Sequence, residues 1–278
     1  MKKNGWYYLL IFPGLLLLAL FLMIPLLRII IPTFFPNGTF SLELYRSFIS
    51  NKFYLGIFFR TIRISVLTCL ICIVLAVPVS FYISRMRAAK KGLMIALATF
   101  PLLTNTVVRA FAWTTILGKT GILNTMLVSS GLIPEPVQLL YTEGAIIVGS
   151  VYLFLPIMLI SLVGVMENIS DEIQEAALSL GANRLVTFIR IIIPLSMPGI
   201  IVGSVLVFAG TASAYSTPLM LGGNRNMVMS TLIYQQAMLL GNWNSASVIA
   251  ALMIVTSYVV VNVLNWIAAK LNKAEARE

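Results

Sequence analysis

The chain contains no histidine, two cysteines and nine acidic residues, and charged side chains fill only 10% of its 278 positions. Each shortage excludes something. Without histidine it lacks the commonest metal ligand and the usual general base near neutral pH, which argues against a hydrolase and predicts no metal site or catalytic residue. A soluble domain of this length carries about 25% charged residues to wet its surface, so here too few charges exist to cover a globule in water. Cys69 and Cys72 fall in one apolar run, and three apart on a helix they share a face. That spacing could serve redox or metal chemistry, yet among Leu, Ile and Val the pair reads as small apolar filling. No G-x4-G-K-[ST] phosphate loop occurs, so nothing in the chain would hold ATP.

What is there is apolar: 59% of residues are hydrophobic, with a mean hydropathy of +0.97. Six runs, 7–31, 61–84, 93–117, 144–166, 199–221 and 245–269, match the roughly 20 apolar residues that cross a hydrocarbon layer of about 30 Å at about 1.5 Å per residue. Backbone groups in lipid must bond within their own segment, so these runs are helices. The period-two alternation of a membrane barrel is absent. The expectation is an all-α integral membrane protein with six transmembrane helices, forming one domain over 1–278. The first run follows Met1-Lys2-Lys3; it is too long for a signal-peptide core and no small-x-small site closes it, which predicts a retained anchor.

A net charge of +10 would suit a nucleic-acid partner only if the basic residues lined one soluble face. They sit between the apolar runs instead. Lys2, Lys3, Arg85, Arg87, Lys90, Lys91, Arg184, Arg190, Lys270, Lys273 and Arg277, eleven of the 19 basic residues, lie on one side of the spans. Arg46, Lys52, Lys119 and Arg225 lie on the other. The excess of Lys and Arg in cytoplasmic loops places both termini in the cytoplasm of a multi-pass protein. On the outer side, Pro36-Asn37-Gly38 is a turn signal followed by an amphipathic stretch at 42–49, and 121–132 reads as a short helix ending at Gly131. Both fit membrane-surface helices, docking surfaces or lids.

Between the fourth and fifth runs, 168–184 carries a helix signature. Ser170 or Asn168 can cap it, with Asp171 and Glu172 in the first turn where the dipole favours acids. Ile169, Ile173, Ala176, Ala177 and Leu180 recur at three and four residues, giving one apolar face, with Glu172 and Glu175 toward the other side. Gly181 stops the helix, and a second stretch, 182–193, ends at Pro194. A short capped helix outside the bilayer either inserts in a partner's groove or lies on the membrane surface.

Glu175-Ala176-Ala177, then Gly181, then Ile191, Ile193 and Pro194 resemble the pattern E-A-A-x3-G-x9-I-x-L-P of ABC importer permeases, with Ile193 in place of the usual leucine. The resemblance implies a type I importer permease whose segment around Ser170, Asp171, Glu172, Glu175, Ala176, Ala177 and Gly181 is a coupling helix seated in an ATP-binding subunit. It also implies two such subunits carrying ATP and Mg, a second permease chain, an extracytoplasmic substrate-binding protein and a bacterial inner membrane. Residues 101–113, 117–125, 216–223, 234–236 and 242–243 are similar to the spermidine/putrescine-type branch, whose members also carry iron, phosphonates or opines.

Polar residues inside the runs have two readings each. Arg109, near the outer end of the third run, marks a pathway or snorkels to the interface; Thr104, Asn105 and Trp113 share its region and could line an outer gate. In the fifth run, Thr211, Ser213, Tyr215, Ser216 and Thr217 either bond across tightly packed helices or line a watery pathway, with Pro218 ending the helix. No Asp or Glu lies in the core of any run. Such carboxylates are common in ion-gradient-driven carriers, the alternative class, and a polyamine cation would also seek them.

Overall fold

The computed structural model describes residues 5–35 and 38–275, and the side chains of 11–35, 38–267 and 270. Lys2, Lys3, Pro36, Asn37 and Arg277 lie outside the described residues. Among those described there are helices and no strands. Ile11–Phe34, Lys52–Ser84, Glu143–Met166 and Trp243–Ile267 are each long and apolar enough to span a membrane. Two bent pairs, Ala88–Leu103 with Thr106–Ser129 at 92° and Arg184–Leu195 with Met197–Ser213 at 65°, make the number six when each pair is counted once.

The chain divides into two compact units, 1–55 with 232–254 and 56–231 with 255–278. In the first, helix α1 (Gly5–Phe34) contains Pro13, Pro25 and Pro32. From Ile11 to Ile31 most of its large apolar side chains are exposed, as a lipid-facing helix requires. The amphipathic stretch after it forms α2 (Glu43–Ser50). Thr33 Oγ1 and Tyr45 Oη share a hydrogen bond of 2.7 Å, and Phe34 stacks on Tyr45 at 5.1 Å. Phe48 is buried and stacks on Tyr54 at 5.3 Å. The stretch is thereby fastened to the end of α1.

In the second unit, α3 (Lys52–Ser84), α7 (Glu143–Met166) and α10 (Met197–Ser213) supply the core. Cys72, Ala76, Met158, Leu162, Met166, Ile192 and Val207 have no exposed surface. Helices gain little from the hydrophobic effect in lipid and associate by close packing over small residues. Along α10, a Cβ at Gly199 would lie 3.0 Å from Ser161 O, one at Gly210 would lie 2.9 Å from Phe154 Cδ1, and one at Gly203 would overlap the Met158 sulfur. Both cysteines are free and buried in this core, and Cys69 Sγ donates to Ser204 O at 3.8 Å.

Two spans read from the sequence as continuous are broken. The third consists of α4 (Ala88–Leu103) and α5 (Thr106–Leu117), because Asn105 accepts from Val107 N at 2.8 Å and caps a new helix. Its side-chain oxygen serves as that cap, and the side chain is exposed. Arg109 therefore does not lie on one helix running from Leu93. The fifth span ends at Ser213, well before Leu221, and α11 (Ser216–Gly222) follows. Pro218 explains this: a proline ring clashes with the carbonyl four residues earlier and offers it no N–H. That carbonyl belongs to Ala214, whose backbone is extended at ψ 126°, and Ser230 Oγ donates to it at 2.6 Å. So Pro218 sits inside a new short helix, and the old one ends ahead of the carbonyl that its ring displaces. Likewise α9 (Arg184–Leu195) starts later than Ala182 and runs past Pro194, through a π turn at Phe188–Ile192 in which Ile193 N bonds Phe188 O. Local π turns of this kind re-satisfy backbone groups freed by a proline.

The loop helix α6 (Ile122–Ser129) is followed by Gly131 at φ +71°. Buried Asn124 donates to Gly118 O at 3.0 Å and Val137 O at 2.9 Å and accepts from Val137 N at 3.0 Å, pinning this loop. Glu143, the first residue of α7, is shared by two arginines. Arg60 Nε reaches it at 3.0 Å and Arg63 Nη2 meets its other oxygen, while Arg60 Nη1 donates to Met227 O at 3.2 Å.

Candidate functional site

The loop after α7 is built by local rules. Ser170 Oγ accepts from Glu172 N at 3.2 Å and opens α8 (Asp171–Ser179). At its far end Gly181 N bonds Leu178 O at 3.0 Å and Ala182 N bonds Ala177 O at 3.0 Å, a Schellman closure that requires the left-handed φ of +90° found at Gly181. Asn183 then caps α9 by accepting from Val186 N at 2.8 Å. Helix, stop and restart thus occupy fewer than twenty residues, and each end of the hairpin is closed by its own hydrogen bonds.

The apolar residues of this helix divide. Ile169 and Ala177 are buried and seat it on the protein. Ile173, Ala176 and Leu180 are exposed, Leu180 by 89%, and Glu172 and Glu175 are exposed beside them. Leu185 and Ile189 on α9 extend the exposed apolar surface. Two charge pairs tie the loop to the end of α3 and the first turn of α4: Arg85 Nη1 to Asp171 Oδ1 at 2.8 Å, and Lys91 Nζ to Glu167. These four residues place the 85–91 and 167–171 turns on one side of the molecule. The sequence pattern reveals neither pair, because Arg85 and Lys91 carry an orientation signal that hides a specific partner.

At the other end, Thr104, Val108, Arg109, Trp113 and Tyr152 line a cavity of about 260 Å³. The indole of Trp113 meets the Tyr152 ring edge-on at 5.6 Å. Arg109 Nη1 donates to Pro101 O at 3.2 Å, and Thr104 Oγ1 donates to the same carbonyl at 2.7 Å. A cation near the last carbonyls of α4 is favoured by the helix dipole, so Arg109 bridges the break in the third span. On its other flank Arg109 and Trp113 share a space of about 10 Å³ with Ser216 and Thr217 of α11, room for little more than one water.

Of the polar residues singled out in the sequence, Thr104, Arg109, Trp113, Ser216 and Thr217 come together. Tyr215, half-buried just before α11, is not among the lining residues of either space. Ser213 turns back onto Ala209 O at 2.7 Å, and Thr211 is buried with no hydrogen-bond partner for its hydroxyl among the described residues. Tyr152, absent from the sequence candidates, completes the cavity; a phenol in a mostly apolar span is the one signal that could have marked it. No carboxylate lines either space, so the charge there is the positive charge of Arg109.

A family model described as the binding-protein-dependent transport system inner membrane component matches residues 3–273. The spermidine/putrescine transport system permease protein PotB of Haemophilus influenzae is 33% identical over 200 residues, 72% of this chain and 70% of that protein. Its namesake in Escherichia coli is 31% identical over 233 residues, 81% of this chain and 84% of that protein. A chain in the crystal structure of a bacterial alginate ABC transporter in complex with an alginate pentasaccharide-bound periplasmic protein superposes with a TM-score of 0.80, at 18% identity, over 96% of this chain and 95% of that one. That likeness shows the shared fold. The family is one of binding-protein-dependent transporters, which sets aside both an enzyme and an ion-gradient-driven carrier. The chain belongs to the binding-protein-dependent transport system inner membrane component family and is a multi-pass inner-membrane permease subunit of an ABC importer.

Proposed function

We propose that this permease imports a polyamine, spermidine or putrescine, and is driven through α8 by ATP-binding subunits on the cytoplasmic side. The observation that carries the driving mechanism is the capped, Gly-closed α8, with Ile173, Ala176 and Leu180 exposed beside Glu172 and Glu175. An exposed apolar strip on a rigid helix suits a partner's groove. The basic turns at 85–91 share its side, which supports a cytoplasmic position for this loop and for both termini. The chain has no phosphate loop, so ATP and Mg belong to two partner subunits. Their closure draws the α8 helices of this chain and of a second, different permease together and opens the spans outward to a loaded binding protein. Hydrolysis resets them.

The polyamine assignment rests on the relatives at 31–33% identity. The cavity at Arg109 has no carboxylate to hold an organic cation, which supports selection of the solute in the binding protein or by the second permease. The test is uptake of radiolabelled spermidine and putrescine by vesicles holding the complete assembly. Uptake is expected only with ATP inside and the binding protein outside. A binding protein that takes iron, a phosphonate or an opine and neither polyamine would overturn the substrate, and uptake without ATP would overturn the mechanism.

A further inference from the structure

One arginine grips the α8 loop where it leaves the membrane. Arg85 follows the last turn of α3, and its Nη1 bonds both Ile169 O at 2.8 Å and Asp171 Oδ1 at 2.8 Å. Those acceptors flank Ser170, the residue that opens α8. The guanidinium lies over the Phe81 ring at 5.5 Å, and Phe81 meets Phe188 of α9 edge-on at 5.2 Å. The end of α3 therefore contacts the loop on its way out, through Arg85, and on its way back, through Phe81. The Arg85 side chain is only 22% exposed, whereas Asp171 is 70% exposed. Coulomb attraction is strengthened where water is excluded, and a guanidinium at a carbonyl and a carboxylate makes charge-assisted bonds. Arg85 Nε and Nη2 are buried and find no acceptor among the described residues. A buried donor without an acceptor is unfavourable, so the arginine keeps capacity for another acceptor when the loop shifts.

We propose that Arg85 is a positioning residue for energy coupling: it fixes the start of α8 to the membrane-embedded end of α3, so that displacement of α8 moves the span with it. The proposal rests on the reading of α8 as the coupling helix. Lys91 with Glu167 is a second tie between the same two turns, but it holds the end of α7 and not α8. Loss of Arg85 leaves the loop in place while slackening the connection between α8 and α3.

The complete assembly in vesicles tests this with two readouts that require no knowledge of the solute. One is ATP hydrolysis; the other is ATP-dependent labelling of a Ser216→Cys reporter by a membrane-impermeant maleimide. Cys69 and Cys72 are buried and stay silent. Arg85→Gln is expected to leave hydrolysis within about twofold of the starting assembly and to cut the ATP-dependent rise in labelling by about fivefold or more. Arg85→Lys keeps a cation for Asp171 and Ile169 O and is expected to restore most of that rise. A full labelling response in Arg85→Gln overturns the proposal. Where Arg85→Gln assembles poorly, the lysine variant decides: recovery supports positioning, and failure equal to the glutamine variant overturns it. Labelling that ignores ATP in the starting assembly, or an undiminished rise in a Gly181→Pro assembly, removes the coupling reading itself and the proposal with it.

Discussion

Gly181→Pro is expected to lower solute uptake by at least about tenfold while the chain still inserts in the membrane and assembles with its partners. The reason is local. Gly181 sits at φ +90°, and proline is locked near −65°, so the substitution cannot adopt this backbone. It also deletes the N–H that bonds Leu178 O. The last turn of α8 then frays, Ala182 loses its bond to Ala177 O, and the exposed strip formed by Ile173, Ala176 and Leu180 no longer has one shape. The spans lie elsewhere and keep their packing. Glu175→Lys reaches the same result by another route: Glu175 is exposed, so reversing its charge alters what a partner meets and leaves the helix intact. Uptake, ATP hydrolysis and membrane content measured on one preparation check both. Uptake at the rate of the starting protein in either variant would remove the coupling role from α8.

Gly203→Leu is expected to be the most damaging change inside the membrane. A Cβ at that position would overlap the Met158 sulfur and lie 3.4 Å from Ser161 Cβ. Leucine adds three further carbons in a seam where α10 and α7 nearly touch. Overpacking of this kind costs about 1–3 kcal/mol or more, and each kcal/mol lowers the unfolding midpoint by about 2–4 °C in a protein of this size class. Gly164 supplies the control, because nothing lies within 4 Å of a Cβ built there. Gly164→Leu is expected to leave thermal stability in detergent near that of the starting protein, whereas Gly203→Leu lowers it by several degrees or prevents recovery of folded protein. Equal stability of the two variants would contradict the close α7–α10 packing.

The α8 loop was legible residue by residue because it is built from local rules. Ser170 as cap, acids in the first turn and Gly181 as the left-handed stop all act within four residues of their partners. The spans were legible from length and hydropathy, which fix that a segment enters the membrane but not that it stays straight. Breaks at Asn105 and Ala214 arise from capping chemistry and a proline clash competing with the apolar pattern, and a hydropathy window averages such effects away. Pro218 carried the second break in its own position, since the carbonyl it displaces is always four residues back. Pairings such as Arg60 with Glu143 and Arg85 with Asp171 join residues more than eighty positions apart. Only tertiary structure selects them from the other arginines and acids. The cavity at Arg109 was half legible: Thr104, Arg109 and Trp113 were marked by their polarity, while Tyr152 came from another span and Asn105 was spent on a cap.

The importer's driving contact is tested most directly by a photo-crosslinking amino acid placed at Leu180, the most exposed apolar residue of the α8 loop at 89%. In membranes holding the complete assembly, illumination is expected to join this chain to an ATP-binding subunit, and Gly181→Pro is expected to abolish that adduct. Crosslinks to lipid alone, with no adduct to an ATP-binding subunit in any nucleotide state, would place α8 on the membrane surface and contradict the account.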